Sequence, residues 1–202
     1  MTARLVVLIS GSGSNLQALI DACAESGYGA KVVAVGADRY DAAGLERAHA
    51  HGIPTFVHRV SDYPNREAWD EAMVDTVSRF EPELVVSAGF LKLLGKAFLS
   101  RFDGRCINTH NSLLPAFPGM EGPRLALEHG VKVAGATLFI CDHGVDTGLI
   151  IAQTVVDVHD EDTVDSLTER IKDAERKQLV DSVGTMMRDG WSVDGRRVRL
   201  GR

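Results

Sequence analysis

Apolar residues in this chain fall into short unbroken runs, separated by stretches in which they recur every three or four positions. The run at residues 5–10 stops at glycine and predicts a strand buried on both faces, as in a parallel sheet. Residues 31–35, 53–57, 84–87 and 106–109 predict further strands. Between them, Leu16, Leu19, Ile20 and Cys23 show helical spacing, and residues 42–51 predict a helix stopped by Gly52. Residues 65–80 predict an amphipathic helix with Trp69, Met73, Val77 and Phe80 on one face, and residues 95–101 a short helix. This alternation predicts an α/β fold: a single-domain, Rossmann-like open, mostly parallel sheet flanked by helices.

The pattern changes after His110. Residues 133–141 and 150–158 predict two strands joined by a loop. Asp162 or Thr163 is placed to cap a long helix reaching about Met187, with Leu167, Ile171, Ala174, Val180, Val183 and Met187 facing the sheet. A C-terminal antiparallel strand and a long helix therefore close the fold. Residues 194–202 are polar and basic, a frayed end or a last hairpin, so 190–202 is expected to be a flexible or hairpin tail. With no repeat, linker or low-complexity stretch, residues 1–202 are read as one domain.

Composition narrows the function classes. A net charge of −6 argues against a nucleic-acid partner bound by a broad basic face. Cys23, Cys106 and Cys141 are odd in number and far apart, which favours reduced thiols in a cytoplasmic protein over a disulfide frame or zinc site. The N-terminus leads straight into a strand, and no apolar run is long enough to span a bilayer, so neither a signal peptide nor a membrane partner is expected.

Two motifs carry chemistry. After the first strand, Gly11-Ser12-Gly13-Ser14-Asn15 opens a helix. Glycines let backbone approach a ligand, and helix N-terminal N–H groups attract anions. The dinucleotide fingerprint wants a third glycine where Leu16 stands, and the P-loop wants Gly-Lys-Ser/Thr. Asp38 mimics the ribose-binding acid of dehydrogenases and keeps that reading as an alternative. A plain tight turn explains the loop alone equally well, and the second motif favours the anion site. That motif is Asn108-Thr109-His110-Asn111-Ser112-Leu113-Leu114-Pro115, with Asp146-Thr147-Gly148 further on. Asn108 and His110 lie two apart at a strand end and share a face. The Asn108 amide can donate to a developing oxyanion, the His110 imidazole can move a proton, and an Asp146 carboxylate beside it would fix its orientation. Taken singly, each residue has a bland role as a satisfied polar group, a turn former or a loop cap.

These stretches resemble the folate-dependent formyltransferases, and among them the phosphoribosylglycinamide formyltransferase family of de novo purine synthesis. The resemblance also covers residues 7–17, 66–70 and 88–94 and Pro118-Gly119. It implies transfer of a formyl group from N10 of 10-formyltetrahydrofolate to the amine of glycinamide ribonucleotide through a tetrahedral intermediate. No metal and no covalent enzyme intermediate is implied, and the partners are these small molecules alone. Asn108, His110 and Asp146 would be catalytic. Gly13, Ser14 and Asn15 would hold the ribonucleotide phosphate, and Glu175, with Lys172 nearby, would touch the nucleotide. Arg66, Leu91, Lys92, Leu93 and Leu94 would line the folate pocket with Asn108, and the loop of Asp142, His143, Gly144, Val145 and Asp146 would contact the pterin. The chain would act as a monomer or homodimer.

Four positions depart from that family's habit: Asn111 in place of proline, Met120-Glu121 in place of a histidine, Phe139 in place of a histidine, and Leu149 in place of proline. Lys92 replaces an arginine, keeping the charge without the fork. These departures motivate two alternatives, a formyltetrahydrofolate hydrolase and a non-catalytic folate- or nucleotide-binding relative. The hydrolase normally carries an added N-terminal domain, for which a first strand beginning by Leu5 leaves no room. Methionyl-tRNA formyltransferase would need a further C-terminal domain and a basic RNA surface. His49, His51, His143 and His159 lack ligand spacing. The acidic cluster of Asp157, Asp160, Glu161 and Asp162 reads as a solvated loop and helix cap. Arg196, Arg197, Arg199 and Arg202 read as a solvated terminus.

Overall fold

The structure is a computed structural model describing residues 2–201; Met1 and Arg202, to which the readings of the N-terminus and of the basic tail extend, lie outside the described residues. The described chain divides into two compact units, one ending at Asn108 and the other starting at Thr109.

The first unit is a parallel sheet with helices. Its strands are β1 (Ala3–Ile9), β2 (Ala30–Ala37), β3 (Thr55–Val57), β4 (Leu84–Ser87) and β5 (Cys106–His110), the last running through the unit boundary. They lie in the order β3-β2-β1-β4-β5, every neighbouring pair parallel. Leu5, Val6, Val7, Leu8 and Ile9 have no exposed surface, as a run covered on both faces requires. The helices are α1 (Ser14–Ala24), α2 (Gly44–Ala50), α3 (Arg66–Ser78) and α4 (Lys96–Arg101). Asn65 caps α3 by accepting from the Ala68 N–H at 2.8 Å. Trp69, Met73 and Val77 of α3 are buried. Phe80 lies beyond the helix end and stacks on Phe56 instead.

Strand order reverses between β1 and β4, so a crevice opens at their carboxyl ends, where open α/β sheets take their ligands. The 11–15 and 89–94 loops follow those two strands. They are stitched by Ser10: its N–H donates to the Gly89 carbonyl at 3.1 Å, and its Oγ accepts from the Leu91 N–H at 2.8 Å.

The second unit holds α5 (Gly122–Glu128), β6 (Val133–Ile140), β7 (Leu149–Asp157), α6 (Val164–Asp189) and a hairpin of β8 (Trp191–Asp194) and β9 (Arg197–Leu200). β6 and β7 pair antiparallel, with a register shift at Leu138/Phe139. Their connecting loop carries Asp142 to Gly148. Thr163 and Ser166 form a reciprocal capping box at the start of α6. Ala126, Ala134, Ala136, Leu167 and Ile171 form a core cluster in this unit.

Two expectations are corrected here, and of the two forms expected for the tail the hairpin is the one found. The sequence pattern gives no helix at residues 122–128, yet α5 forms, with Pro123 placed where a first turn tolerates it. The buried stripe of α6 passes through Leu179 and Met186, not Val180 and Met187, and Ala174 is only partly buried. The apolar period breaks because one position on that stripe, Glu175, is a carboxylate with 4% exposure. Residues 191–200 are a paired hairpin, with Asp194 opposite Arg197 across a two-residue turn.

Candidate active site

Two groups of the sequence-derived residues have a defined geometry, one in each unit. In the first unit, Gly13 sits at φ +69 as the N-cap of α1 and offers no side-chain cap. The first turn of α1 contains no acidic residue. Its N–H groups have no carbonyl one turn behind them, so this end suits an anion. A Cβ on Gly13 would meet the Gly44 Cα at 2.8 Å, so backbone approach as well as φ requires glycine there. Arg47 of α2 braces the loop, donating to the Ser12 carbonyl at 2.8 Å and to Gln17 Oε1 at 3.3 Å. Ser14 is half-buried and Asn15 is buried.

At the second loop of that crevice, Arg66 donates to the Leu93 carbonyl and lies 4.4 Å over the Trp69 ring. Leu91 and Leu93 are 61% and 64% exposed, an apolar pair at the surface. Lys92 Nζ lies 3.4 Å from Asp38 Oδ2. The dehydrogenase-like acid therefore holds a cation, the opposite of what ribose hydroxyls would use it for. Ser10, Asp38, Leu91 and Lys92 line a cavity of about 410 Å³ with Arg39, Arg59, Val60 and Ser61. Asp70 of α3 lies in the 66–70 stretch of the resemblance, which gives it no role. Its carboxylate accepts from the Gly95 N–H at 2.7 Å and the Phe98 N–H at 3.0 Å, capping α4 from outside and fixing the exit of the 91–94 segment.

The second unit brings His110, Asp146 and Glu175 into a separate set of contacts. His110 Nε2 lies 2.9 Å from the Phe117 carbonyl, which can only accept, so Nε2 carries a proton. Its Nδ1 faces Asp146 Oδ2 at 3.7 Å, with both side chains about nine-tenths buried (11% and 12% exposed). That separation exceeds a hydrogen bond, so the carboxylate acts on the ring through charge. Nδ1 is the nitrogen left to take up a proton, and the imidazolium so formed faces an anion in a poorly solvated place. Asp146 Oδ2 also accepts from the Gly119 N–H at 2.8 Å. A single turn at 117–119 thus grips both residues, with Phe117 at φ +52 and Asp146 at φ +54 in the left-handed region.

Asn108 precedes His110 by two on β5, opposite Ser87 of β4. Thr109, between them, donates from Oγ1 to Glu175 Oε1 at 2.5 Å, so the buried carboxylate of α6 is tied to the β5 end. Lys172 turns to Glu169 at 2.8 Å, on the solvent side of the helix. In the β6–β7 loop, Asp142 Oδ1 accepts from the Gly144 N–H at 3.0 Å and from Thr147 Oγ1 at 2.7 Å, while His143 and Val145 are exposed. Phe139 is core, and a Cβ on Gly148 would lie 2.8 Å from its ring and 1.8 Å from the Ile140 carbonyl. Leu149 opens β7 opposite Ile140, a paired position where proline would offer no N–H. Glu121 is the N-cap of α5, and the Arg124 guanidinium beside it holds its carboxyl below the usual range. Asp162, in the acidic cluster, accepts from Arg170 and from the His159 N–H and is held well below the usual carboxylate range.

Sequence reasoning gives no role to Ser10, Asp70, Thr109 and Phe117, and reads Arg196 as part of a solvated terminus. Arg196 donates to the carbonyls of Thr147 and Gly148. Their residue types name no role, because each acts on a backbone group or a partner that only the folded chain brings near. Among the described residues no group of three or more His, Cys, Asp or Glu is placed to hold a metal ion, and no helix is long and apolar enough to cross a membrane.

The family model described as formyl transferase matches residues 3–183. The phosphoribosylglycinamide formyltransferase of Mycobacterium tuberculosis (strain ATCC 25618 / H37Rv) is 51% identical over 200 residues, covering 99% of this chain and 92% of that one. Its counterpart in Escherichia coli (strain K12) is 40% identical over 195 residues, covering 96% and 88%. The crystal structure of glycinamide ribonucleotide transformylase 1 from Symbiobacterium toebii superposes with a TM-score of 0.96 at 42% identity, covering 100% of this chain and 95% of that one.

Proposed function

The chain belongs to the formyl transferase family, and we propose how its residues run the phosphoribosylglycinamide formyltransferase reaction of purine biosynthesis, the activity named for its near full-length relatives. The formyl group comes from 10-formyltetrahydrofolate and passes to the glycinamide ribonucleotide amine. The bond from the formyl carbon to N10 breaks, the bond to the amine forms, one amine proton leaves, and N10 gains a proton.

The observation that carries this reading is the facing of His110 and Asp146 at 3.7 Å, two residues after Asn108. His110 takes the amine proton on Nδ1, and Asp146 stabilises the resulting imidazolium. Asn108 donates its amide N–H to the developing oxyanion. Gly13, Ser14 and Asn15 bind the ribonucleotide phosphate at the uncapped start of α1. Glu175, steadied by Thr109, contacts the glycinamide ribonucleotide, with Lys172 nearby on the same helix.

The residues present fit a folate. The exposed Leu91 and Leu93 and partly buried Leu94 offer an apolar wall, and Arg66 and Lys92 offer cations for its glutamate carboxylates. The 142–146 loop contacts the pterin. Because the family model runs through both units, residues 1–202 are read as one catalytic domain with the 191–200 hairpin as part of its tail. Cys23, Cys106 and Cys141, as thiols outside any disulfide, fit a reducing, cytoplasmic setting. No nucleic acid or membrane enters this reading, and the chain works as a monomer or homodimer.

The test follows cofactor absorbance with purified protein and 10-formyltetrahydrofolate, with and without glycinamide ribonucleotide. Deformylation that requires the ribonucleotide is the expected result. Deformylation without it would identify a hydrolase, and binding of both ligands without turnover a non-catalytic relative.

A further inference from the structure

We propose that Arg196, in the turn of the C-terminal hairpin, is a positioning residue that holds the Asp146 loop in its working conformation. This inference rests on the catalytic reading of Asp146. Arg196 Nη2 donates to the Thr147 carbonyl at 3.0 Å and to the Gly148 carbonyl at 3.1 Å. Those are the two carbonyls that follow Asp146 directly.

The loop needs such a hold. Asp146 occupies the left-handed region at φ +54, where a residue with a Cβ stays only if its surroundings fix it. Three fixings are visible. Asp142 gathers the Gly144 N–H and the Thr147 hydroxyl at the loop entrance. Gly119 holds the Asp146 carboxylate itself. On the exit side, where Leu149 enters the β6–β7 pairing, Arg196 adds a side-chain hold in which one guanidinium nitrogen draws two successive carbonyls toward a single point. Without it, the Thr147 and Gly148 carbonyls lose their shared anchor, and the Asp146 backbone can relax toward negative φ and shift the carboxylate opposite His110.

The hairpin is built to deliver this donor. Asp194 pairs with Arg197 across the turn, and Gly195 takes φ +59 at its first position. The residue between Gly195 and Arg197 is thereby fixed in direction. The hairpin lies beyond residue 183, where the family model ends, so the contact adds to the shared formyl transferase framework a brace from outside it.

The experiment compares wild type with Arg196→Met, Arg196→Lys, Asp146→Asn and the Asp146→Asn/Arg196→Met pair, by steady-state kinetics in both substrates and by thermal unfolding. Arg196→Met should lower kcat about tenfold, since a small misplacement of a catalytic group suffices for that, with both KM values within about twofold. Lysine, which keeps a cationic donor, should recover most of the loss. On the Asp146→Asn background, Arg196→Met should have no further effect on kcat. An unchanged kcat in Arg196→Met, or a rise in one KM at constant kcat, would overturn the brace. So would the full loss persisting when Asp146 is already asparagine. If Asp146→Asn alone turns over like wild type, the catalytic reading of Asp146 fails; if it is slow while Arg196→Met is normal, only the brace fails.

Discussion

His110 and Asp146 face each other with Nδ1 and Oδ2 3.7 Å apart, held by two backbone groups of the same turn, the Phe117 carbonyl and the Gly119 N–H. The imidazole is thereby limited to one tautomer and the carboxylate to one position. The pair is charge-coupled without being hydrogen-bonded, so its value appears when the ring gains its second proton. Asn111 and Leu149, which stand where the resembled family has proline, leave this geometry in place.

Thr109 is predicted to act through Glu175. Thr109→Val keeps the shape and removes the donor at 2.5 Å. Losing a hydrogen bond to a buried carboxylate costs about 2 kcal/mol. KM for the ribonucleotide should rise several-fold with the folate KM unchanged. Equal effects on the two substrates, or none, would contradict the link.

Asn15→Leu tests the phosphate cradle. Asn15 is buried in the first turn of α1, and leucine branches at the same position but is larger and cannot hydrogen-bond. The expected outcome in initial-rate measurements is a KM increase for the ribonucleotide that exceeds any change for the folate. Matching increases would count against the cradle.

The sheet was legible because its runs are unbroken: residues 84–87 match β4 to the residue, and 133–141 and 150–158 differ from β6 and β7 by a single position at the ends that moved. Where a signal is carried by one residue breaking a pattern, the reading slipped. Glu175 on the buried stripe of α6 shifted the assigned face by one residue, and Gly122-Pro123 disguised the start of α5. For the candidate site, the spacing of Asn108 and His110 and the loop of Asp146 stand out as sequence. The Phe117 carbonyl, the Gly119 N–H and the Arg196 guanidinium do not, because backbone groups have no letter and long-range donors have no period.

Asp70→Ala should destabilise the fold by about 2 kcal/mol, because a buried N–H group (Phe98) and a part-buried one (Gly95) lose a charged acceptor at once. Urea unfolding measures this. Asparagine should recover part of the loss, since its carbonyl oxygen accepts only where one of the two bonds is made. A shift of the midpoint too small to resolve would show that α4 does not depend on this cap.

Cys23 gives a pH dependence with a definite sign. Burial pushes its thiol up to about 11 from 9.0. The unfolded chain releases this proton near pH 9, whereas the folded chain keeps it until about 11. The folded state therefore binds more protons in that window, and stability falls as pH rises through it. Below the window the contribution is fully present. The stability of wild type relative to Cys23→Ala, from urea midpoints, should be lower at pH near 10 than at pH 8, and a constant difference would contradict the assignment.

The central claim is that His110 and Asp146 work as a charge-coupled pair in formyl transfer, and Asp146→Asn tests it most directly. Single-turnover formyl transfer should fall by about 10²-fold or more, with both substrates still binding and the fold intact. Transfer at the wild-type rate by a folded Asp146→Asn enzyme would contradict the account.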